Sequence, residues 1–362
     1  MGNIMDVSAF DQEVINNEDY LKLIRDLGAQ PISKVNNLPD FSVFKKGLFF
    51  SHRDFDKFIA AAKRGEKVAI VSGFNASGKM HLGHTIVFET VKLLQNLFDC
   101  DLIIPISDDE SYLTGKVKSQ EEALKNALGI AEQISGFGFN TTRTKIIIDQ
   151  LYPEIYNLAV KYSRFSTMST VKAVYGYSNE INPGVFFYPF VQTAHILYPI
   201  EKLNAKYVLV PIAVDEDSHL RLCRDVAAKL GFPKPAVIHS KFINGLDGKK
   251  MSKSKPNSAI FLDDSDSIIK KKVNLAITGG QHTIEEQRKL GGDPEKCAVI
   301  KYLGDLFLDV DAVNELKEKY KKGKVLDKEN KELLYNEIIK YTKNLKQNIK
   351  LSGQDFDKMI LH

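Results

Sequence analysis

Apolar runs without internal alternation recur along the chain, each followed by a stretch of helical periodicity. "KVAIVSGF" (67–74), "DLIIPIS" (101–107), "RTKIIID" (143–149), "KYVLVPIAVD" (206–215) and "AVIHSKF" (236–242) read as strands. Helices are expected from about His81, around "QEEALKNALGIAEQI" and over "SHLRLCRDVAAKLG". A strand that is apolar on both of its alternating sides needs cover on both faces, which predicts an α/β doubly wound parallel sheet. In such sheets ligands bind beyond the carboxyl ends of the strands.

The pattern changes toward both ends. From about residue 265 strand signals thin out, and "DAVNELKEKYKKGKVLDKENKELLYNEIIKYTKNLKQNIK" reads as helices split by Gly323. Leu333, Leu334, Ile338, Ile339, Tyr341 and Leu345 give that stretch an apolar face, with lysines elsewhere. Roughly the first 45 residues hold one helix, "NEDYLKLIRDLG", and a Pro- and Asn-containing link. The expected division is an N-terminal extension over 1–60, a sheet domain over 61–264 and a helical domain over 265–362.

The 362 residues, 43% hydrophobic and 27% charged, fit an ordinary globular protein with a large core. A formal charge of +4 only mildly favours an anionic partner. Cys100, Cys223 and Cys297 are odd in number and lack paired spacing, which points to a reducing, cytoplasmic setting. No apolar run approaches a membrane span, and "MGNIMDVSAFDQEVINNEDY" is acidic and polar rather than signal-like.

Two stretches carry candidate chemistry. In "SGFNASGKMHLGHTIVFE" (72–89), Gly73, Asn75, Ser77 and Lys79 precede His81, Gly83 and His84 at a helix start. A zinc pair would want histidines four apart and a third ligand, neither of which is evident; capping or packing is the ordinary use of a histidine beside a helix start. A third use is nucleotide binding: backbone N–H groups and the helix dipole favour phosphate, two imidazoles share a face, and Gly83 leaves room for a flat base or ribose. The second stretch, "DGKKMSKSKPNSAIFLDD" (247–264), gathers Lys249, Lys250, Lys253 and Lys255 around Met251 and Ser252. Mobile ammonium groups of this kind stabilise charge in a phosphoryl or nucleotidyl transfer.

Taken together, "HLGH" and "KMSKS" resemble the two signatures of class I aminoacyl-tRNA synthetases, within them the archaeal and eukaryotic enzymes specific for tryptophan. The likeness runs from about Asp19 to near the end. It includes "GLFFSHRD", "ISDDESYL", "YPFVQTAHIL", "VPIAVDEDSHLRLCRDVA" and "TGGQHTIEEQRKLGGDPEKC", the last similar to a segment that the tyrosine enzymes lack. The resemblance implies a Rossmann-type doubly wound parallel sheet with an inserted dimerisation segment, about 111–190, a C-terminal all-helical anticodon-binding domain, and a homodimer. It implies that tryptophan and ATP, with Mg²⁺, give tryptophanyl-adenylate and pyrophosphate, after which tryptophan passes to its tRNA. No DNA, membrane or structural metal is expected. Tyrosine as substrate, or a synthetase-like RNA-binding protein without activity, are the alternatives.

The same resemblance assigns residues. His81, His84, Lys250 and Lys253 would be electrostatic clamps on ATP, with Gly73, Asn75, Ser77, Lys79, Gly83, Met251 and Ser252 around the nucleotide and Asp215 on the ribose. Tyr188, Gln192 and His195 share one helix face, with Pro189 expected in that helix's first turn. Tyr188, Gln192 and Glu110 match positions that bind the substrate's amino group, and Glu216 stands where related enzymes often carry Gln. The chain departs from the eukaryotic pattern where the indole N–H is read: Val71 and Pro105 offer no side-chain acceptor. His195, at a place that holds Asp in the bacterial tryptophan and the tyrosine enzymes, is the expected acceptor.

Overall fold

A computed structural model describes residues 17–26, 28–249, 251 and 257–362. Its strands are β1 (Gln30–Pro31), β2 (Phe49–Arg53), β3 (Val68–Val71), β4 (Phe74–Asn75), β5 (Asp101–Ser107), β6 (Thr144–Ile148), β7 (Tyr207–Ala213) and β8 (Ala236–Ser240). β3 lies between β5 and β7, β6 flanks β5, and β8 flanks β7, all in parallel; β2 joins β8 antiparallel and carries β1. The winding therefore runs outward from β3 in one direction to β6 and then in the other to β8.

The unbroken apolar strands are explained by burial on both sides. Ile70, Leu102, Ile104 and Ile146 pack beneath Leu82, Ile86, Val91 and Leu94 of the helix Leu82–Phe98 and beneath Ile130 and Ile134 of the helix Gln120–Ser135. Val71, Ile103, Ile147 and Val210 face the helices Glu154–Ser163, Pro183–Leu203 and Asp217–Lys229. Each such side chain contributes about 1.5–3 kcal/mol by leaving water.

Two expectations change. The stretch 111–190 does not lie wholly outside the sheet, because β6 pairs with β5 over Leu102–Ile106 and the helix Gln120–Ser135 is the crossover between them. Pro189 is not in a first turn: the helix begins at Pro183, capped by Asn182 Oδ1, which accepts the Val185 N–H at 2.9 Å. Asn followed by Pro is a helix-start signal, and it outweighs the proline further in.

The helical C-terminal part shares the core of the sheet. Leu334, Ile338 and Leu345 of the helix Asp327–Asp357 belong to the same continuous cluster as Leu94 and Phe137. Gly136 permits this approach, since a Cβ there would lie 2.7 Å from Ile349 Cγ1 and 2.9 Å from the Leu345 carbonyl oxygen. At Gly353 the long helix breaks with φ 33° and the chain turns back. Ile146 N–H then donates to Met359 O at 2.7 Å and Leu361 N–H donates to Ile146 O at 3.0 Å, so the returning segment closes the β6 edge.

That closure is testable. Removing residues 358–362 strips buried Met359 and Ile360 from the edge, at a cost on the order of 3 kcal/mol. Thermal unfolding should show a melting temperature several degrees lower; an unchanged melt would show that the segment contributes nothing.

Candidate active site

A cavity of about 280 Å³ opens where the winding reverses, at the carboxyl ends of β3, β5 and β7. Val71, Pro105, Val87, Phe88, Ile196 and Val210 give it apolar walls, and Asn75, His84, Glu110, Gln192, Glu216 and His219 give it polar ones. Gly73 is required here by space: a Cβ would stand 3.0 Å from the Pro105 carbonyl oxygen and 3.1 Å from its ring.

His81 is the N-cap of the helix Leu82–Phe98, and its backbone N–H donates to His84 Nδ1 at 3.0 Å. In the neutral ring that bond leaves the proton on His84 Nε2, a donor at the cavity wall. The two imidazoles stack with centroids 3.5 Å apart, and Phe74 meets His84 edge-on at 4.8 Å. Gly83 faces the His81 ring and the Met251 sulfur, where a Cβ would come within 3.1 Å and 3.3 Å respectively. Met251 is buried, and Tyr302 Oη–H donates to its sulfur at 3.5 Å.

Other expected nucleotide contacts are distributed differently. Lys79 pairs with Asp263 at 2.6 Å and lines a second cavity, with Lys125 and Lys346, rather than the first. Ser77 N–H donates to Asn75 Oδ1 at 2.9 Å, which shapes the turn. Asp215 is exposed in the short helical turn Val214–Glu216 at the end of β7, next to the cavity-lining Glu216. Lys250, Ser252 and Lys253 lie outside the described residues.

On the opposite wall, Asn75 bridges β4 to the acidic helix that follows β5. Its Nδ2 donates to Glu110 Oε2, and its Oδ1 accepts Ser111 Oγ–H at 3.0 Å. Lys116 lies 3.2 Å from Glu110 Oε1. Tyr188 is behind the wall: its hydroxyl donates to Ser107 Oγ at 2.8 Å and accepts from Gln192 Nε2, so it positions Gln192, which lines the cavity.

His195 is wholly buried, between the wall residues Gln192 and Ile196 in sequence but not itself exposed on the wall. Its Nε2 lies 2.6 Å from Asp149 Oδ1. Burial holds this imidazole neutral, at a pKa of about 4. Asp108, Asp109 and Asp149 bring carboxylate oxygens within 4.8 Å of one another. Burial and the neighbouring Asp149 push Asp109 well above the usual carboxylate range.

Three contributors were not expected from sequence. His219 lines the cavity, with Nδ1 2.9 Å from the Tyr175 hydroxyl and Nε2 3.5 Å from Glu216. Burial lowers its pKa to about 4. Ser107 ends β5, and Asp149 ends "RTKIIID". The carboxyl-end position of Ser107 and Asp149 was the available signal; for His219 it was the turn-spaced "DEDSH" after β7.

A helix start bearing His84 and a wall carrying Glu110 and Gln192 line one cavity at the reversal point of the sheet. The chain belongs to the class I tRNA synthetases of the tryptophan and tyrosine group, whose family model matches residues 63–343. It is similar to the tryptophan–tRNA ligase of Pyrobaculum calidifontis, 36% identical over 91% of each chain. It also resembles the crystal structure of tryptophanyl-tRNA synthetase from the hyperthermophilic archaeon Aeropyrum pernix K1, with TM-score 0.86, 30% identity and coverage of 95% of this chain and 97% of that one. A third relative is the tryptophanyl-tRNA synthetase from Encephalitozoon cuniculi bound to tryptophan, with TM-score 0.83, 29% identity and coverage of 95% and 98%.

The neutral state of His219 has a measurable consequence. An unfolded histidine takes up a proton near pH 6.5, whereas His219 in the fold does so only near 4. Between those values the unfolded chain binds more protons at this site, so the histidine's contribution to stability falls as pH drops from about 6.5 to 4. Denaturant unfolding of H219Q should show a shallower loss of stability across that window than the parent chain. Parallel curves would contradict the assignment.

Proposed function

We propose that this protein is a tryptophan–tRNA ligase that forms tryptophanyl-adenylate from tryptophan and ATP and then esterifies the 3′ end of the tRNA for tryptophan. The observation that carries the proposal is the cavity at the sheet reversal, where a helix start bearing His84 faces Glu110 and Gln192 across apolar walls. The substrate carboxylate is already a nucleophile, so activation needs alignment and charge stabilisation more than a base. It attacks the α-phosphorus, and pyrophosphate departs carrying the bridging oxygen's electrons. His84 Nε2–H, the helix dipole and the lysines of the 247–264 loop would stabilise charge on the phosphoryl oxygens, and Mg²⁺ would accompany ATP.

Glu110 and Gln192 would hold the ammonium and place the carboxylate, with Tyr188 fixing Gln192. Asp215 would take the ribose hydroxyls. His195 would receive the indole N–H: its Nε2 is committed to Asp149, while its Nδ1 is buried without a hydrogen-bond partner. The helices between β6 and Pro183 expose Val160 and Met168, apolar groups suited to a dimer contact. The basic C-terminal helices would engage the anticodon arm. Cys100, Cys223 and Cys297 are buried free thiols, in keeping with work in the cytoplasm.

ATP–pyrophosphate exchange assayed separately with tryptophan and tyrosine tests the proposal. Exchange with tryptophan is expected; exchange with tyrosine alone would reverse the substrate, and exchange with neither would leave an RNA-binding protein without activity. In the same assay, H195A should raise the KM for tryptophan at least ~10-fold while sparing that for ATP. An unchanged tryptophan KM would remove His195 from the site.

A further inference from the structure

We propose that Asp149 acts as a positioning residue, fixing the proton of His195 on Nε2 so that Nδ1 is presented as the acceptor for the ring N–H of the substrate. The inference rests on the tryptophan proposal above and extends it to the group that makes His195 an acceptor.

The geometry is that of an orienting carboxylate. Asp149 Oδ1 and His195 Nε2 are 2.6 Å apart, with both side chains fully excluded from solvent. A neutral imidazole has one N–H and one acceptor nitrogen, and which is which depends on its partners. With the proton on Nε2 facing Asp149, the bare Nδ1 is a buried acceptor. The other tautomer would put an unpaired N–H in the same dry place, and buried orphan N–H groups are rarer than under-satisfied acceptors.

Asp149 plays this part through Oδ1, which faces His195 Nε2 at 2.6 Å and accepts its N–H either as a carboxylate oxygen or as the carbonyl oxygen of a carboxyl group. Asp108 Oδ1 accepts the Asp149 backbone N–H at 3.0 Å, and Asp108 Oδ2 accepts from Gln150 Nε2 at 2.6 Å, so Asp108 fixes the strand end. Asp109 accepts the Glu110 N–H at 2.6 Å on Oδ1 and the Tyr156 hydroxyl at 3.3 Å on Oδ2. Asp109 and Asp149 bring carboxylate oxygens within 4.8 Å of one another, and burial raises both well above the usual carboxylate range. At Asp149 burial is joined by the charges of Asp108 and Glu110, and the neighbouring Asp109 opposes that rise.

The location suits a specificity role. His195 is in the fourth turn of the helix Pro183–Leu203, whose Gln192 and Ile196 form cavity wall, and the apolar Val71 and Pro105 line the same cavity without a side-chain acceptor. Nδ1 of His195 thus supplies what those two residues lack. A site with one fixed acceptor discriminates against an isosteric ring that has no donor, because the acceptor is then left unpaired.

The test compares tryptophan with the analogue in which sulfur replaces the ring N–H, using kcat/KM in pyrophosphate exchange for the parent, D149L and H195A. The parent should prefer tryptophan roughly 100-fold or more, and D149L should lose at least ~10-fold with tryptophan while changing by less than about 2-fold with the analogue. Equal losses for both substrates would make Asp149 merely structural and overturn the proposal. If D149L does not fold, ¹⁵N NMR of the histidine-labelled parent decides: Nδ1 without a proton is expected, and a protonated Nδ1 refutes the assignment. H195A isolates the underlying proposal. If it keeps the parent's preference for tryptophan, His195 does not read the ring; if it loses that preference while D149L keeps it, only the role of Asp149 falls.

Discussion

The segments Met80–Leu82 and Ile260–Leu262 hold one another antiparallel, with Leu82 N–H donating to Ile260 O at 2.9 Å and Leu262 N–H to Met80 O at 3.0 Å. His81 and Phe261 face each other in this bridge. The bridge fixes the first turn of the helix Leu82–Phe98, and with it the stacked histidines, to the exit of the lysine-bearing loop. Sequence separation makes such a contact costly in chain entropy, and the intervening sheet repays it by burying both faces. The cavity, the helix dipole and the loop therefore take their relative positions from one short piece of backbone pairing.

Electrostatics inside the cavity follow from burial more than from pairing. His195 and His219 are both neutral because a dry site disfavours the imidazolium. Their value is as oriented donors and acceptors: Asp149 holds His195 at Nε2, and Tyr175 holds His219 at Nδ1 with Glu216 3.5 Å from its Nε2. Ionic groups such as Glu110 with Lys116, Lys79 with Asp263 and the exposed Asp215 stay nearer solvent.

Much of the fold was legible because its signals are local or periodic. Apolar runs marked β3, β5, β6, β7 and β8, and the reversal at β3 placed the ligand site beyond their carboxyl ends. The position of "HLGH" at a helix start, and of Gln192 and Glu110 on one cavity, could likewise be read from motif and resemblance. What could not be read depends on which neighbours meet in space. That Lys79 meets Asp263 at 2.6 Å is one such contact, made across a long stretch of chain. Tyr188 shares a helix face with Gln192, yet only Ser107 at the end of β5 explains why it supports rather than lines the wall. Asp149 and His195 are 46 residues apart, and no spacing rule connects them. Pro189 reads as a helix start in the sequence, whereas the helix begins at Pro183 and carries Pro189 within it.

The turn at Gly353 also bears on how the long helix is held against the sheet. The long helix Asp327–Asp357 is pinned along its length by Asn348 Nδ2 to Gly136 O at 3.0 Å and by the Tyr341 hydroxyl to Glu89 at 2.8 Å. Beyond the turn, its continuation is hydrogen-bonded to Ile146 in β6, whose neighbour β5 ends in Ser107 beside the cavity. Sliding of that helix along the sheet would break the backbone hydrogen bonds that Met359 and Leu361 make with Ile146 at the sheet edge, so the helix position and the edge of β6 are set together.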